Sequence, residues 1–355
     1  MAGCAKRGAI VIDPAAKEIG TVETIFVGSS RAPGLAAEDY RRARSADLSF
    51  GRFDISVPDN RRPGTVSMPQ ESAPNPKTQF VVVSKDLFDG AAGFRHAVNA
   101  AIDTSSSRSR EAVVFVHGFN TNFAEGLYRQ AQMMHDFGWP GLSIQYSWPS
   151  AGNVTAYAFD RESALFARDG LERLLDELTM SNVSRITLVG HSMGAQVVME
   201  TVRQMAIRGS PAFFRKLDNV VLVAPDIDVD LFRSQYRSFE GKGPAVYVFV
   251  SSRDRALRLS SLLRGQRDRL GSIRDGSAIG DLPVTIIDVT DVKDNADRLG
   301  HFTPATSPSM IAMINGMGEF GIEMFKDEAE QPGLFDTSIS MLQDMTMVVL
   351  TPLAR

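Results

Sequence analysis

The sequence has a single cysteine, Cys4, among its 355 residues, so no disulfide can form within the chain. It also has no run of about 18 consecutive apolar residues, the length that a membrane-spanning helix needs. Its charges nearly balance, with 38 basic and 42 acidic residues, whereas nucleic-acid binders usually carry a basic excess. We therefore expect no intramolecular disulfide, no transmembrane helix and no nucleic-acid partner.

Signatures of metals and cofactors are missing as well. The sequence contains no His-Glu-x-x-His pair, no paired cysteine motif and no Gly-Lys-Ser/Thr phosphate loop. We predict that the protein uses neither a metal nor an organic cofactor, and that side chains and backbone groups carry its chemistry.

The order of strand-like and helix-like segments divides the chain into three parts. Residues 1–105 contain Thr-, Val- and Ile-rich stretches typical of strands, and we expect these to pack on or extend a sheet. In residues 106–320, short apolar stretches alternate with longer stretches whose apolar residues have helical spacing. This alternation predicts an α/β core with a mostly parallel sheet flanked by helices. In residues 321–355, the apolar and Met-rich stretch 337–350 predicts a helical tail.

The strongest motif is Gly-His-Ser-Met-Gly at residues 190–194. It follows the strand-like stretch 186–189 and precedes the helix-like stretch 195–199, which is the context of a nucleophile elbow. The sharp turn strains the serine backbone, and the flanking glycines remove side chains that would clash. The helix N-terminus favours developing negative charge. Ser192 is therefore the predicted nucleophile.

A serine hydroxyl needs a base to take its proton. The chain has five histidines, His96, His117, His135, His191 and His301. Enzymes with this elbow carry serine, acid and histidine in that order along the chain. Only His301 follows Ser192, in a stretch beyond the last strand-like segment, so we predict that His301 is the base.

Three aspartates follow strands at places where the acid of a triad is found. Asp254 follows the strand-like stretch 245–251 and is the preferred candidate. Asp226 and Asp228 follow the preceding strand-like stretch and remain alternatives. If Asp226 and Asp228 do not take part in catalysis, we expect them to lie in turns and helix caps.

A second motif, His-Gly-Phe-Asn at residues 117–120, follows the strand-like stretch 113–116. An acyl-transfer enzyme must stabilise an oxyanion, and backbone N–H groups do this. We expect the N–H groups of Phe119 and Met193 to be the two donors. His117 is expected to hold the loop rather than to take part in the chemistry.

Further side chains near these motifs are candidates for the substrate pocket, because loops at the carboxyl edge of a parallel sheet bind ligands. They are Asn120, Tyr146, Trp148 and His191. For Tyr146 and Trp148, a packed aromatic core beside the elbow is an equal alternative.

The opening stretch Met-Ala-Gly-Cys-Ala is similar to the end of a bacterial lipoprotein signal, in which the cysteine is lipidated after cleavage. We expect a membrane tether through Cys4 and a location in the cell envelope. Without lipidation, Cys4 would be an inert thiol and the expected location would be cytoplasmic.

With these motifs placed, residues 110–320 resemble the α/β-hydrolase superfamily and, more narrowly, a bacterial group of serine esterases, often lipoproteins, of mostly unassigned function. The matching stretches are 115–120, 146–150, 190–194, 224–228 and 251–257, and the N-terminal stretches 26–31 and 50–53 also resemble the opening strands of this bacterial group. The resemblance implies a Ser-His-Asp triad, an oxyanion hole and hydrolysis of a small-molecule or lipid-like carboxylic ester.

The resemblance supplies no substrate, because one fold and one triad serve many acyl chemistries. Amide, thioester or polyester cleavage and acyl transfer by the same residues remain alternatives. An alternative of another class is a non-catalytic envelope lipoprotein. The sequence does not predict the oligomeric state.

Overall fold

The computed structural model describes residues 7–32, 43–70, 73–103, 110–263, 269–274, 276–294, 300–316 and 335–352. The predicted lipidation site, Cys4, lies outside these residues. The chain divides into two compact units, Met1–Arg185 and Ile186–Arg355. Each unit has its own ordered set of strands.

The described residues of the first unit form five strands in the spatial order β4-β5-β1-β2-β3. They are β1 (Thr21–Ala32), β2 (Ala43–Val57), β3 (Val81–Phe88), β4 (Glu111–Val116) and β5 (Leu142–Ser147). The first three pair antiparallel, and β1 then runs parallel to β5, which runs parallel to β4. The predicted β-rich N-terminal extension is therefore present and continues the parallel strands of this unit.

The α-helices in the described part of the first unit are α1 (Gly90–Asp103), α2 (Phe123–Asp136) and α3 (Tyr157–Met180). The start of α2 is fixed by a capping box. Asn122 Oδ1 accepts from the N–H of Glu125, whose carboxylate accepts from the N–H of Asn122. This cap also fixes the end of the loop that follows β4.

Where the structure describes the second unit, its six strands follow the order β10-β11-β9-β8-β7-β6. They are β6 (Arg185–His191), β7 (Leu217–Val223), β8 (Ala245–Val250), β9 (Thr285–Asp288), β10 (Phe335–Leu342) and β11 (Met345–Pro352). All neighbours are parallel except β10 and β11. Val246–Val250 of β8 are buried throughout because both faces of the parallel strands are covered.

Six α-helices among the described residues connect these strands or follow them. They are α4 (Met193–Arg208), α5 (Pro211–Lys216), α6 (Val229–Arg237), α7 (Arg255–Leu263), α8 (Thr303–Thr306) and α9 (Pro308–Gly316). Strands alternate with helices, so the predicted fold class, a mostly parallel sheet flanked by helices, is confirmed. No helix in the described part of the chain combines the length and apolarity that crossing a bilayer requires.

The prediction of a helix over residues 337–350 is wrong. β10 and β11 form an antiparallel hairpin closed at Gln343 and Asp344, and β11 adds to β9 as a parallel strand. Gln343 has a φ of 52°, which a helix does not allow. The stretch carries many β-branched residues, which favour strands, and the methionines masked this signal.

Candidate active site

Ser192 lies at the turn between β6 and α4 with φ 54° and ψ −119°. Residues with a side chain rarely adopt this backbone conformation, so the turn is strained. Hydrogen bonds hold it: the N–H of Ser192 donates to the Val223 carbonyl at 2.9 Å, and the Ser192 carbonyl accepts from Asp226 N–H at 3.2 Å. The hydroxyl does not cap α4. The geometry is that of the predicted nucleophile elbow.

Gly190 is required by the close return of α4 onto β6. A Cβ at this position would lie 2.7 Å from Ala195 Cα and 3.0 Å from Ala195 N. Both are backbone atoms, so a side chain here could be accommodated only by moving the helix away from the strand.

We expect Gly190→Ala to destabilise the protein by about 1–3 kcal/mol, because overpacking forces the backbone to shift. A matched control is Gly93→Ala in α1, where a Cβ would meet Phe88 Cβ at an ordinary 3.5 Å and alanine favours the helix. Urea denaturation of both variants measures the difference. An equal or smaller loss for Gly190→Ala than for Gly93→Ala would contradict this explanation.

His301 and Asp254 form a hydrogen-bonded pair in the same unit as Ser192. Nδ1 of His301 lies 2.6 Å from Oδ2 of Asp254, whose side chain is fully buried. The other carboxylate oxygen accepts from Leu257 N–H at 2.9 Å, which fixes the carboxylate at the start of α7. A carboxylate on Nδ1 selects the tautomer that carries its proton there and leaves Nε2 to act as a base.

The two alternative acids have other contacts. Asp226 is buried, accepts from Ser260 Oγ at 2.7 Å and lies 3.4 Å from Nε of the buried Arg269. Asp228 caps α6, since its Oδ1 accepts from the N–H groups of Asp230 and Leu231. The structure therefore favours Asp254 as the partner of His301.

His191 packs against the histidine loop. Its ring centroid lies 4.8 Å from that of His301 and 4.2 Å from that of Phe302. Its Nε2 lies 3.3 Å from the His301 carbonyl, within reach of a hydrogen bond. His191, which immediately precedes Ser192, thus connects the elbow to the loop that carries His301.

In the first unit, the loop after β4 is held by Arg31, a residue that sequence reasoning missed. This guanidinium is fully buried at the end of β1. It donates to Ser147 Oγ at 2.9 Å, to the Ser150 carbonyl at 2.9 Å and to the Thr121 carbonyl at 3.0 Å. Burial lowers the pKa of Arg31 to about 10, so it remains charged at neutral pH.

His117 is buried beside Arg31. Its pKa is lowered to about 3, first by burial and then by the charge of Arg31, so the imidazole is neutral. The Trp148 ring stacks on it at 5.1 Å and donates its Nε1–H to the His117 carbonyl at 2.6 Å. His117 thus has the contacts expected of a residue that holds the loop.

A family model described as "Alpha/beta hydrolase of unknown function (DUF900)" matches residues 91–317. The chain belongs to this family. No curated protein matches the sequence. The family assignment agrees with the fold and with the elbow, and its description leaves the substrate open.

Three solved structures are similar to this alpha/beta hydrolase at low identity. A Lactobacillus plantarum protein described as a cell surface hydrolase is 10% identical over 64% of this chain and 99% of its own (TM-score 0.35). A dienelactone hydrolase-like phosphotriesterase from metagenomic libraries is 12% identical over 80% and 92% (TM-score 0.32). A phospholipase from Legionella pneumophila is 13% identical over 68% and 68% (TM-score 0.34). At these scores the likeness adds nothing to the family assignment.

The predicted pocket residues of this hydrolase lie in different environments. Tyr146 is fully buried, donates to the Ala167 carbonyl at 2.6 Å and bonds Ser30 Oγ at 2.8 Å, and burial raises its pKa. Trp148 is also fully buried. These contacts match the alternative of a packed aromatic core, so a role for either side chain as a pocket wall is not supported.

Asn120 lies in the loop after β4 with a left-handed φ of 56°. Its Oδ1 and its carbonyl accept from the guanidinium of Arg7 at 2.9 and 2.7 Å. Arg7 also pairs with Glu125, the second member of the capping box of α2. The side chain of Asn120 is therefore engaged in holding the loop.

Among the described residues, no group of three or more His, Cys, Asp and Glu side chains is arranged to hold a metal ion.

Proposed function

We propose that the protein is a serine hydrolase that cleaves carboxylic esters through an acyl-enzyme. The observation that carries the proposal is the hydrogen bond between His301 and Asp254, in the unit that also holds Ser192 in a strained elbow. Strained backbone conformations cluster at active sites. Membership of an α/β-hydrolase family supports the same conclusion.

In the proposed mechanism, Ser192 Oγ attacks the ester carbonyl carbon while His301 Nε2 takes the hydroxyl proton. Asp254 holds the imidazole in the required tautomer and stabilises the imidazolium that forms. His301 then gives the proton to the departing alcohol, which leaves an acyl-enzyme. A water molecule, deprotonated by His301, attacks the acyl carbon; the bond from that carbon to Ser192 Oγ breaks, His301 returns the proton to Oγ, and the acid is released.

The negative charge that develops on the carbonyl oxygen needs donors. Met193 is the first residue of α4, and its N–H belongs to a helix N-terminus, where the dipole favours negative charge. The sequence pattern assigns the second donor to the N–H of Phe119. Each such donor is worth roughly 10²–10³ in turnover, because it acts on charge that exists only in the transition state.

A panel of substrates tests the reaction class. We expect p-nitrophenyl esters to be hydrolysed with an initial burst of about one equivalent of p-nitrophenol, the mark of an accumulating acyl-enzyme. A thioester and an anilide of the same acyl group should react more slowly. Esters of rising acyl length then measure how long a chain the site accepts.

Two outcomes of this substrate panel would favour a different function. Faster turnover of the thioester or the anilide would favour the corresponding alternative with the same triad. Absence of turnover for every substrate in the panel would favour a non-catalytic envelope protein that keeps the fold.

A further inference from the structure

Arg31 makes a fourth contact in addition to those with the loop carbonyls and Ser147. One of its terminal nitrogens lies 3.4 Å from Nε2 of His117. A guanidinium can only donate hydrogen bonds. Nε2 of His117 must therefore be an acceptor and carry no proton.

The tautomer of His117 follows from this contact. The imidazole is neutral, because burial and the neighbouring guanidinium lower the pKa of His117 to about 3. A neutral imidazole without a proton on Nε2 carries it on Nδ1. Nδ1 lies 3.0 Å from the Gly118 carbonyl, so Nδ1–H donates to that oxygen.

The Gly118 carbonyl and the N–H of Phe119 belong to the same peptide group. A peptide group is planar, and in the trans form its C=O and N–H point in opposite directions. Fixing the Gly118 oxygen on His117 therefore also fixes the direction of the Phe119 N–H. Trp148 stacks on the same imidazole and limits its rotation.

We propose that Arg31 is a positioning residue that acts through the tautomer of His117 and thereby aims the N–H of Phe119. The chain of contacts runs from the guanidinium to the imidazole and then to the Gly118–Phe119 peptide. The catalytic consequence rests on the proposed function, in which this N–H donates to the oxyanion.

The next residues of the loop are held in the same network. Arg31 donates to the Thr121 carbonyl at 3.0 Å, and Asp160 lies 3.4 Å from the N–H of Asn120. Asp160 also accepts from Ser150 Oγ at 2.6 Å. The loop is therefore held at Gly118, before Phe119, and at Asn120 and Thr121, after it. Because these neighbours stay in place, a change in the tautomer of His117 should turn the Gly118–Phe119 peptide without moving the rest of the loop.

The first test is the tautomer itself, read from ¹⁵N chemical shifts of histidine-labelled full-length protein. Wild-type His117 should show a neutral ring with Nδ1 protonated, unchanged between about pH 5 and pH 8. In Arg31→Met, the guanidinium that excludes a proton from Nε2 is gone and only the Gly118 carbonyl still favours Nδ1–H, so a fraction of the Nε2-protonated form should become detectable. A protonated or Nε2–H ring in the wild type would overturn the proposal, whatever the fate of the variants.

The second test is kinetic. Arg31→Met should lower kcat for an ester by roughly 10²-fold with KM changed only a few-fold, because an oxyanion donor acts in the transition state. His117→Phe keeps an aromatic ring against Trp148 but removes Nδ1–H, and it should give a similar loss. Since the two changes share the contact between Arg31 and His117, the double variant should lose less kcat than the product of the two single losses. Additive losses would contradict a path through His117.

A matched control separates positioning from general loss of stability. Arg61 is also a largely buried arginine, and it pairs with Asp136 near the end of α2. Arg61→Met should lower the free energy of unfolding but leave kcat and the His117 tautomer unchanged. Where Arg31→Met folds poorly, Arg31→Lys replaces it and should give a smaller kcat loss of the same kind. If Arg61→Met shifted the tautomer as much as the Arg31 variant, the proposed specificity would be wrong.

The proposed function and this inference fail in different ways. If the wild type hydrolysed no ester, the proposed function would fall, while the tautomer of His117 and its dependence on Arg31 would still be measured. If esters were hydrolysed but Arg31→Met left both kcat and the tautomer unchanged, the inference alone would be refuted.

Discussion

Ser192→Ala is expected to lower kcat for ester hydrolysis by at least about 10⁴-fold, the largest effect of any single change. Alanine has no hydroxyl to form the acyl-enzyme. The residues of a triad act as a unit, so removing one of them removes most of the rate enhancement that the whole triad provides. The effect should appear with no loss of folding, because the hydroxyl of Ser192 does not cap α4. Steady-state kinetics and a thermal melt on the same preparation measure both quantities.

Ser238→Ala is the matched control. This serine lies just after α6, where its hydroxyl donates to the Gln235 carbonyl at 2.6 Å. The same chemical change there should leave kcat within about two-fold of the wild type. Residual burst kinetics in Ser192→Ala would contradict the assignment of the nucleophile.

The second large effect is expected for Asp254→Asn, with a fall in kcat of about 10⁴-fold. An asparagine can turn its amide NH₂ toward Nδ1 of His301, which then loses its proton to Nε2, and Nε2 can no longer accept one from the serine. The carboxylate of Asp254 lies 2.6 Å from Nδ1, so the change acts at the contact that selects the tautomer.

Asp226→Asn is the control for the acid. Its carboxylate contacts Ser260 and the buried Arg269, so the variant should lose stability because a buried charge loses its partner. The folded fraction should keep most of its kcat. If Asp226→Asn lost turnover by orders of magnitude and Asp254→Asn did not, the acid would have to be reassigned.

The sequence predicts the elbow well because several local requirements coincide there. An apolar strand, a serine between glycines and an amphipathic helix each leave a clear pattern, and together they specify one turn. The acid was harder to select, because Asp226, Asp228 and Asp254 all follow strands. The hydrogen bond to His301 depends on three-dimensional placement that no local pattern records.

Arg31 was missed for a related reason. A charged residue is rarely buried unless it is paired or hydrogen-bonded, so an arginine in sequence is normally taken to be exposed. Its partners Thr121, Ser147 and Ser150 lie more than 80 residues away in the chain. In the structure, Arg31 is the last buried residue of β1, in a stretch that is buried from Ile25 onward.

The error at the C-terminus and the two alternatives left open for the pocket aromatics also have physical causes. A stretch of apolar residues is ambiguous between helix and strand, and in 337–350 pairing with β9 decides in favour of a strand. Aromatic residues at strand ends can line a pocket or fill a core. For Tyr146 and Trp148, the carbonyls of Ala167 and His117 are available as acceptors, which permits complete burial.

The most direct test of the central claim is to identify the residue that a fluorophosphonate modifies. The native wild-type protein should take up one equivalent, and peptide mass spectrometry should place the adduct on Ser192. Ser192→Ala and the unfolded protein should remain unlabelled, because the serine reacts only when the elbow and His301 are in place. No adduct on the native wild type, or an adduct on another residue that persists in Ser192→Ala, would contradict the account.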